Sequence, residues 1–348
     1  MVCFAVMVQT TSANASLKQR IPALLVAALM VPVLHAQRQP GPPVLVVVNQ
    51  GDHDISLIDP VAGRRVATVD VDAITGHEAA VSPDGRTAYV PIYGNSGVGR
   101  AGTDGDHIVV IDLPSRKITG TIHFDHGVRP HCIVFDRRTG MLFVTTELNQ
   151  SITIIDPRTL KIVGAIPTTQ AQSHMFVISH DGRFGYTANV GPGTVSVLDM
   201  RARKTATVIP ISGNTQRISI SNDDHMVFTA DQTQPRLAVI DTATNKVKQW
   251  IDLPAIGYGT APTRDGRWLL VAIRPLNEVA VVDLQTLKVV RIIHTPAVPT
   301  EILAQPDGKV AYVSCTGAGK VAVLDLGNWT VVKTVDAGKD ADGLAWGQ

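Results

Sequence analysis

"HMFVISHDGRFGYTANVGPGTVSVLDM", residues 174–200, packs three strands and two turns into one short stretch. Met175 to Ile178 is a brief apolar run that stops at Asp181-Gly182, a tight-turn signal. "FGYTANV" then alternates and breaks at Gly191-Pro192-Gly193, and "VSVLDM" alternates again before closing on Asp199. A strand this short cannot stand alone, so the question is how often the unit recurs.

It recurs along the chain. "ISLIDP", "IVVIDL", "ITIIDP", "VSVLDM", "LAVIDT", "VAVVDL" and "VAVLDL" place an Asp at 59, 112, 156, 199, 241, 283 and 325. Those positions are spaced by 53, 44, 43, 42, 42 and 42 residues, which is a repeat of one supersecondary unit. A second strand type precedes each phrase ("TAYVPIY", "LFVTTEL", "FGYTANV", "AYVSCTG" among them), and an outer strand such as "KIVGAIP" follows each turn. The fourth type, "HEAAVSPDG" and its relatives, occurs six times, and the terminal "DGLAWGQ" supplies the seventh. The first repeat lacks this inner strand while the C-terminus carries a spare one. The fold class that follows is all-β, a seven-bladed β-propeller closed by the C-terminal strand joining the first blade. An open solenoid would need polar capping repeats, and none is present. Pro262, inside an inner strand, suits an edge that lines a channel and needs no partner on one side.

One stretch offers a competing reading. "YGNSGVGRAGTDGDHIVVIDLP", residues 93–114, sets Gly97, Gly99 and Gly102 at dinucleotide-fingerprint spacing. That fingerprint needs a following helix, whose N-terminus holds the pyrophosphate. Here a strand follows at once, so nicotinamide and flavin are excluded as cofactors. The segment reads instead as an insert of about ten residues between two strands of blade 2, placed to act as a lid over one mouth of the channel.

Of 348 residues, 45% are hydrophobic and 18% charged, with a formal net charge of +1. No basic field or like-charge run exists to hold nucleic acid. Lys18 and Arg20, the apolar run at 21–34 and a cleavage site after Ala36 read as a signal peptide spanning 1–36, too short for a membrane span. A linker at 37–42 and the propeller at 43–348 complete the expected organisation, with a periplasmic or secreted location and a monomeric state. Cys132 and Cys315, in different repeats, do not make a disulfide framework and read as small buried residues.

"SPDGRTAYV", "VSVLD" and "YTANVGPGTVSVLD" resemble the YVTN-type repeat of exported bacterial propellers of the YncE-like kind, over roughly residues 43–348. More distant likenesses are the bacterial-type lactonases and the haem d1 domain of nitrite reductase, although no covalent haem motif occurs here. The resemblance implies the fold strongly and the function weakly, since such propellers include surface-layer and ligand-binding proteins.

The informative residues are those that depart from the chain's own consensus. At the heads of the inner strands stand His77-Glu78, Pro130-His131, His174-Met175, Gln216-Arg217, Tyr258-Gly259, Thr300-Glu301 and Ala341-Asp342. The loops between second and third strands add Asp104, Glu147, Asn189 and Arg274 on the same face. Such a gathering exceeds what blade closure needs and predicts a small-molecule or metal site at the mouth. Imidazole with carboxylate favours a divalent transition metal over calcium, with His131, His174 and Glu301 as the expected ligands. Glu78, Asp104, Glu147, Asn189, Tyr258, Arg274 and Asp342 are the expected ligand-binding set. Two alternatives stay open: a metal-dependent lactone or ester hydrolase with His77 as base and Arg217 as oxyanion partner, and a protein-interaction scaffold. In the plainest reading, Arg217 and Glu301 simply pair across the channel.

Overall fold

The computed structural model describes residues 43–71 and 75–347, and the expected leader and linker lie outside them. Twenty-eight strands form seven antiparallel sheets of four. Each sheet is one blade, with its strands in sequence order from the channel outward in blades 2 to 7. Blade 1 takes its inner strand from the other end of the chain. Ala341–Gly347 pairs antiparallel with Val44–Asn49, setting Val44 opposite Gly347 and Val46 opposite Ala345. The seven blades and the closure by the C-terminal strand are as the repeat predicts.

Side-chain alternation on the central strands explains why the blades stack. Along Val44–Asn49, Leu45 and Val47 pack with Tyr312, Val321 and Val335 of blade 7. Val46 and Val48, on the other face, pack with Val90, Val109 and Ile111 of blade 2. A period of two therefore serves two neighbours at once, and the inner three strands are buried on both faces. Outer strands show one buried position near the end, as in Lys161–Pro167, where Ile166 is buried and Ile162 and Val163 are exposed.

The recurrent Asp earns its place in a turn. Asp59, Asp112, Asp156, Asp199, Asp241, Asp283 and Asp325 each accept backbone N–H groups from the turn that follows. On the same face, the inner hairpins turn on Gly85, Gly182, Gly266 and Gly308 at positive φ. Blade 5 has Asp224 there instead, at φ +61, and its carboxylate accepts the His180 and Asp181 N–H groups of blade 4. Pro262 ends the short inner strand Thr260–Pro262, paired with Leu269 on one side only. Cys132 and Cys315 are buried and unbridged. No helix among the described residues is long and apolar enough to cross a membrane.

Candidate functional site at the channel mouth

In blades 1, 3, 4, 5 and 7 the inner strand carries a β-bulge near its head. In blade 4 the pairing jumps from Ser173 to Met175, leaving His174 as the extra residue. In blade 5 it jumps from Gln216 to Ile218, leaving Arg217. His131 with Cys132, Thr300 with Glu301, and Asp342 with Gly343 occupy the same place in blades 3, 7 and 1. A bulge interrupts the ladder and re-aims one side chain. In these five blades the departures from consensus thus sit where the inner strand leaves the regular pleat, whereas His77-Glu78 of blade 2 and Tyr258 of blade 6 lie just ahead of inner strands that pair without a bulge.

Hydroxyls on the second strand hold several of these bulges. Thr145 accepts the Cys132 N–H at 2.9 Å and donates to the His174 carbonyl of the next blade at 2.9 Å. Thr229 donates to the Arg217 carbonyl at 2.7 Å, and Ser314 accepts the Glu301 N–H at 3.0 Å. Arg217 itself sits at φ +54, a left-handed conformation that costs a side-chain-bearing residue about 1–2 kcal/mol.

Arg217 organises the ionic part of the site. It donates from Nη1 to Glu78 Oε1 of blade 2 and from Nη2 to Asp342 Oδ1 of blade 1, the latter at 3.0 Å. In a seven-membered ring, blade 5 stands opposite the junction of blades 1 and 2, so this side chain is a strut across the channel. Asp342 also accepts from Gln50 Nε2. Glu301 meets Glu78 side chain to side chain, and its Oε2 accepts the Leu344 N–H at 2.8 Å. Burial pushes the carboxyls of Glu78 and Glu301 up, Glu301 well above the usual range with the Glu78 charge adding to the shift. Of the two, Glu301 is the carboxyl that more strongly favours its protonated form. Burial opposes the charge on Arg217, but Glu78 and Asp342 outweigh it and hold the guanidinium ionised.

Beside this network lies an uncharged one. The rings of His131 and His174 lie against each other, tilted by 33°, with centroids 3.6 Å apart, and His77 packs edge-on to His131 at 5.1 Å. Tyr93 touches all three, at 4.8, 5.2 and 5.9 Å from His77, His131 and His174. Burial lowers all three imidazoles, His77 to about 4 and His131 well below its ordinary value, so each is neutral at physiological pH. The Nδ1 atoms of His131 and His174 are buried without a hydrogen-bond partner. Glu147 Oε2 comes no nearer than 3.7 Å to His174 Nδ1, and that oxygen takes the Tyr93 hydroxyl proton in a 2.6 Å bond instead. Burial raises the Glu147 carboxyl, yet its contacts with His174, Tyr93 and Arg129 win and hold it below its ordinary value.

The remaining expected residues are dispersed around these two groups. Asp104 binds Arg129 Nε at 2.6 Å. Asn189 is committed to its own blade through Ser173, Thr187, Thr194 and Ser196. Tyr258 and Arg274 stand together on the blade 6 side, with the Arg274 guanidinium carbon 4.5 Å from the ring centroid. The expected metal set does not come together: His131 and His174 lie in the imidazole pair, whereas Glu301 belongs to the carboxyl network. Among the described residues, no group of three or more His, Cys, Asp or Glu is placed to hold a metal ion. The plain pairing of Arg217 with Glu301 is replaced by pairing with Glu78 and Asp342.

Arg129, Tyr93 and Gln50 were not expected from the sequence. Arg129 fastens the glycine-rich insert, donating to the Arg100 carbonyl at 2.7 Å while pairing with Asp104 and, at 3.4 Å, with Glu147. Gly99, at φ +67, lies against the side-chain amide of Gln172 of blade 4. Between insert and ring is a cavity of about 280 Å³ bordered by Gly99, Arg100, Arg129, Glu147 and Gln172. The insert is thus anchored on blades 3 and 4, beside the imidazoles.

Two families match parts of the chain. Residues 256–347 match the YNCE-like beta-propeller, and residues 137–267 match the cytochrome D1 heme domain. No curated protein matches the sequence. Among solved structures, a functionally unknown protein from Desulfotomaculum acetoxidans superposes with a TM-score of 0.73 at 14% identity, covering 88% of this chain and 99% of that one. Hydrazine synthase of Kuenenia stuttgartiensis gives 0.66 at 17%, covering 79% and 90%. The dihydro-heme d1 dehydrogenase NirN, solved in complex with DHE, gives 0.62 at 17%, covering 86% and 74%. At these identities the likeness is one of fold.

Proposed function

We propose that this seven-bladed ring, YncE-like toward its C-terminal end and haem d1-like from blade 3 into blade 6, binds a planar ligand of the tetrapyrrole class at its channel mouth. The observation that carries the reading is the pair of buried, neutral imidazoles at His131 and His174, with His131 Nδ1 unpartnered and His174 Nδ1 facing the Glu147 carboxylate only at 3.7 Å, beyond hydrogen-bond reach. A buried polar atom without a partner is costly, by roughly 1–3 kcal/mol, and such atoms persist where a ligand completes them. A neutral imidazole is also the form that coordinates a metal centre. Bound there, a metallated macrocycle would supply a Lewis-acidic or redox-active metal. His131 and His174 are the residues that would meet it, and Tyr93 and His77 would offer aromatic faces. The heme-domain match contains Glu147, His174, Arg217 and Tyr258, and the neighbour NirN carries DHE, which supports the ligand class.

The hydrolase alternative gains nothing from the geometry. Both Nη groups of Arg217 are engaged by carboxylates, and burial makes His77 a weak base. Titration of the purified protein with iron protoporphyrin, followed by visible absorbance, tests the proposal. A saturable band shift at one equivalent is expected, lost when His131 and His174 are both replaced by Ala in a protein that still melts cooperatively. The absence of any saturable shift in the parent protein overturns it.

A further inference from the structure

Most charged groups at the mouth are matched, and one is not. Arg217 has Glu78 and Asp342, and Arg129 has Asp104 and Glu147. Arg274 has no ion-pair partner and no side-chain hydrogen bond among the described residues; its recorded contact is with the Tyr258 ring. Its place is fixed by the backbone. It opens a one-turn 3-10 helix, Arg274–Leu276, with Pro275 next to it, and Asn277 N–H closes the turn on the Arg274 carbonyl. Tyr258 is held in turn by its N–H, which donates to the Ala272 carbonyl at 2.8 Å.

A second unmet group stands beside it. The Arg217 guanidinium carbon is 5.0 Å from the same Tyr258 centroid, and Arg217 Nε is buried with no acceptor. Of the two guanidiniums on this phenol ring, Arg217 is paired through both Nη groups and lacks an acceptor only at Nε, whereas Arg274, partly exposed, has no acceptor for any of its N–H groups among the described residues. A guanidinium presents a fork of N–H groups that matches an oxyanion such as a carboxylate. The opposite side of the mouth, with its uncharged imidazoles, has no such provision.

We infer that Arg274, backed by Tyr258, forms an oxyanion subsite that receives a carboxylate of the ligand and so selects an acidic ligand over its neutral ester. This rests on the tetrapyrrole reading for its biological use but not for its existence. The subsite is tested first with inorganic phosphate alone, by calorimetric titration of the parent protein and of Arg274→Gln. Saturable binding in the parent that is at least tenfold weaker in the variant supports it; no saturable binding in the parent overturns it, whatever the tetrapyrrole result. Iron protoporphyrin is then compared with its dimethyl ester. The free acid is expected to bind at least tenfold more tightly in the parent and equally in Arg274→Gln. Equal binding of acid and ester by the parent overturns the selective role. If phosphate binds through Arg274 and neither tetrapyrrole binds, the subsite stands and the tetrapyrrole reading falls.

Discussion

On one side of the mouth Arg217 reaches across to Glu78 and Asp342, while on the other His77, His131, His174 and Tyr93 pack as uncharged rings. Apart from Tyr93, which comes from the second strand of blade 2, both groups are placed at or just ahead of inner-strand heads that break the repeat. They meet the cost of burial differently. The first keeps its charges and pairs them internally, Arg217 with Glu78 and Asp342, with Glu301 held toward its protonated form. The second gives up its charge and leaves two nitrogens unpaired. An ion-paired network braces the ring; a group of neutral rings with free nitrogens has capacity left for something else.

Removing the strut should give the largest effect. Arg217→Met leaves two buried carboxylates without their counter-charge, which costs about 3–5 kcal/mol. Urea denaturation at neutral pH should show that loss, and it should shrink toward pH 5, where the stranded carboxyls take up protons. A loss that is small and independent of pH would show that the ionic half is not a strut.

The raised carboxyl of Glu301 gives the next effect, and its sign can be worked out. The folded-state carboxyl of Glu301 is raised, so its contribution is fully present below the unfolded value of about 4.3 and declines as pH rises toward the folded value. Glu301→Gln retains a donor toward Glu78 and an acceptor for Leu344 N–H but carries no titrating proton. Its stability relative to the parent should therefore climb with pH, by up to roughly 1 kcal/mol per unit above pH 4.3, trimmed because Glu301 keeps part of its surface open to the channel. Parallel stability-against-pH curves for the two proteins would refute the raised carboxyl of Glu301.

Thr145→Val, on the uncharged side, should be milder. The hydroxyl ties the Cys132 N–H to the His174 carbonyl, and losing it costs about 1 kcal/mol. It should also loosen the imidazole pair, visible as faster amide exchange at Cys132 with the Arg217 side unchanged. Equal loosening on both sides would mean that the halves are one cooperative unit.

The ring was almost wholly legible in the sequence, because spacing, alternation and Asp turns repeat seven times and the missing inner strand appears at the far end. The positions of the site residues were legible too, as departures from that repeat. Their partners were not. Whether Arg217 meets Glu301 or reaches Glu78 and Asp342 depends on the width of the channel and on a bulge, neither of which leaves a mark in the residues. Arg129 takes φ +51, a conformation that glycine or asparagine would have announced and arginine does not. Tyr93 looked like one more apolar strand residue, and only its 2.6 Å bond to Glu147 sets it apart. Gln50 lies in a turn whose composition signals only a turn.

Closure of blade 1 by Ala341–Gly347 also sets a clock. During synthesis the strand Val44–Asn49 emerges early, while its inner partner is made last, about 300 residues later. At about 5–20 residues per second, roughly 15–60 s pass with that hydrogen-bonding edge open. An unpaired edge of Val and Leu is a template for the wrong strand, including the same strand of another nascent copy. The join that makes the finished ring endless therefore makes the growing chain vulnerable longest at its beginning.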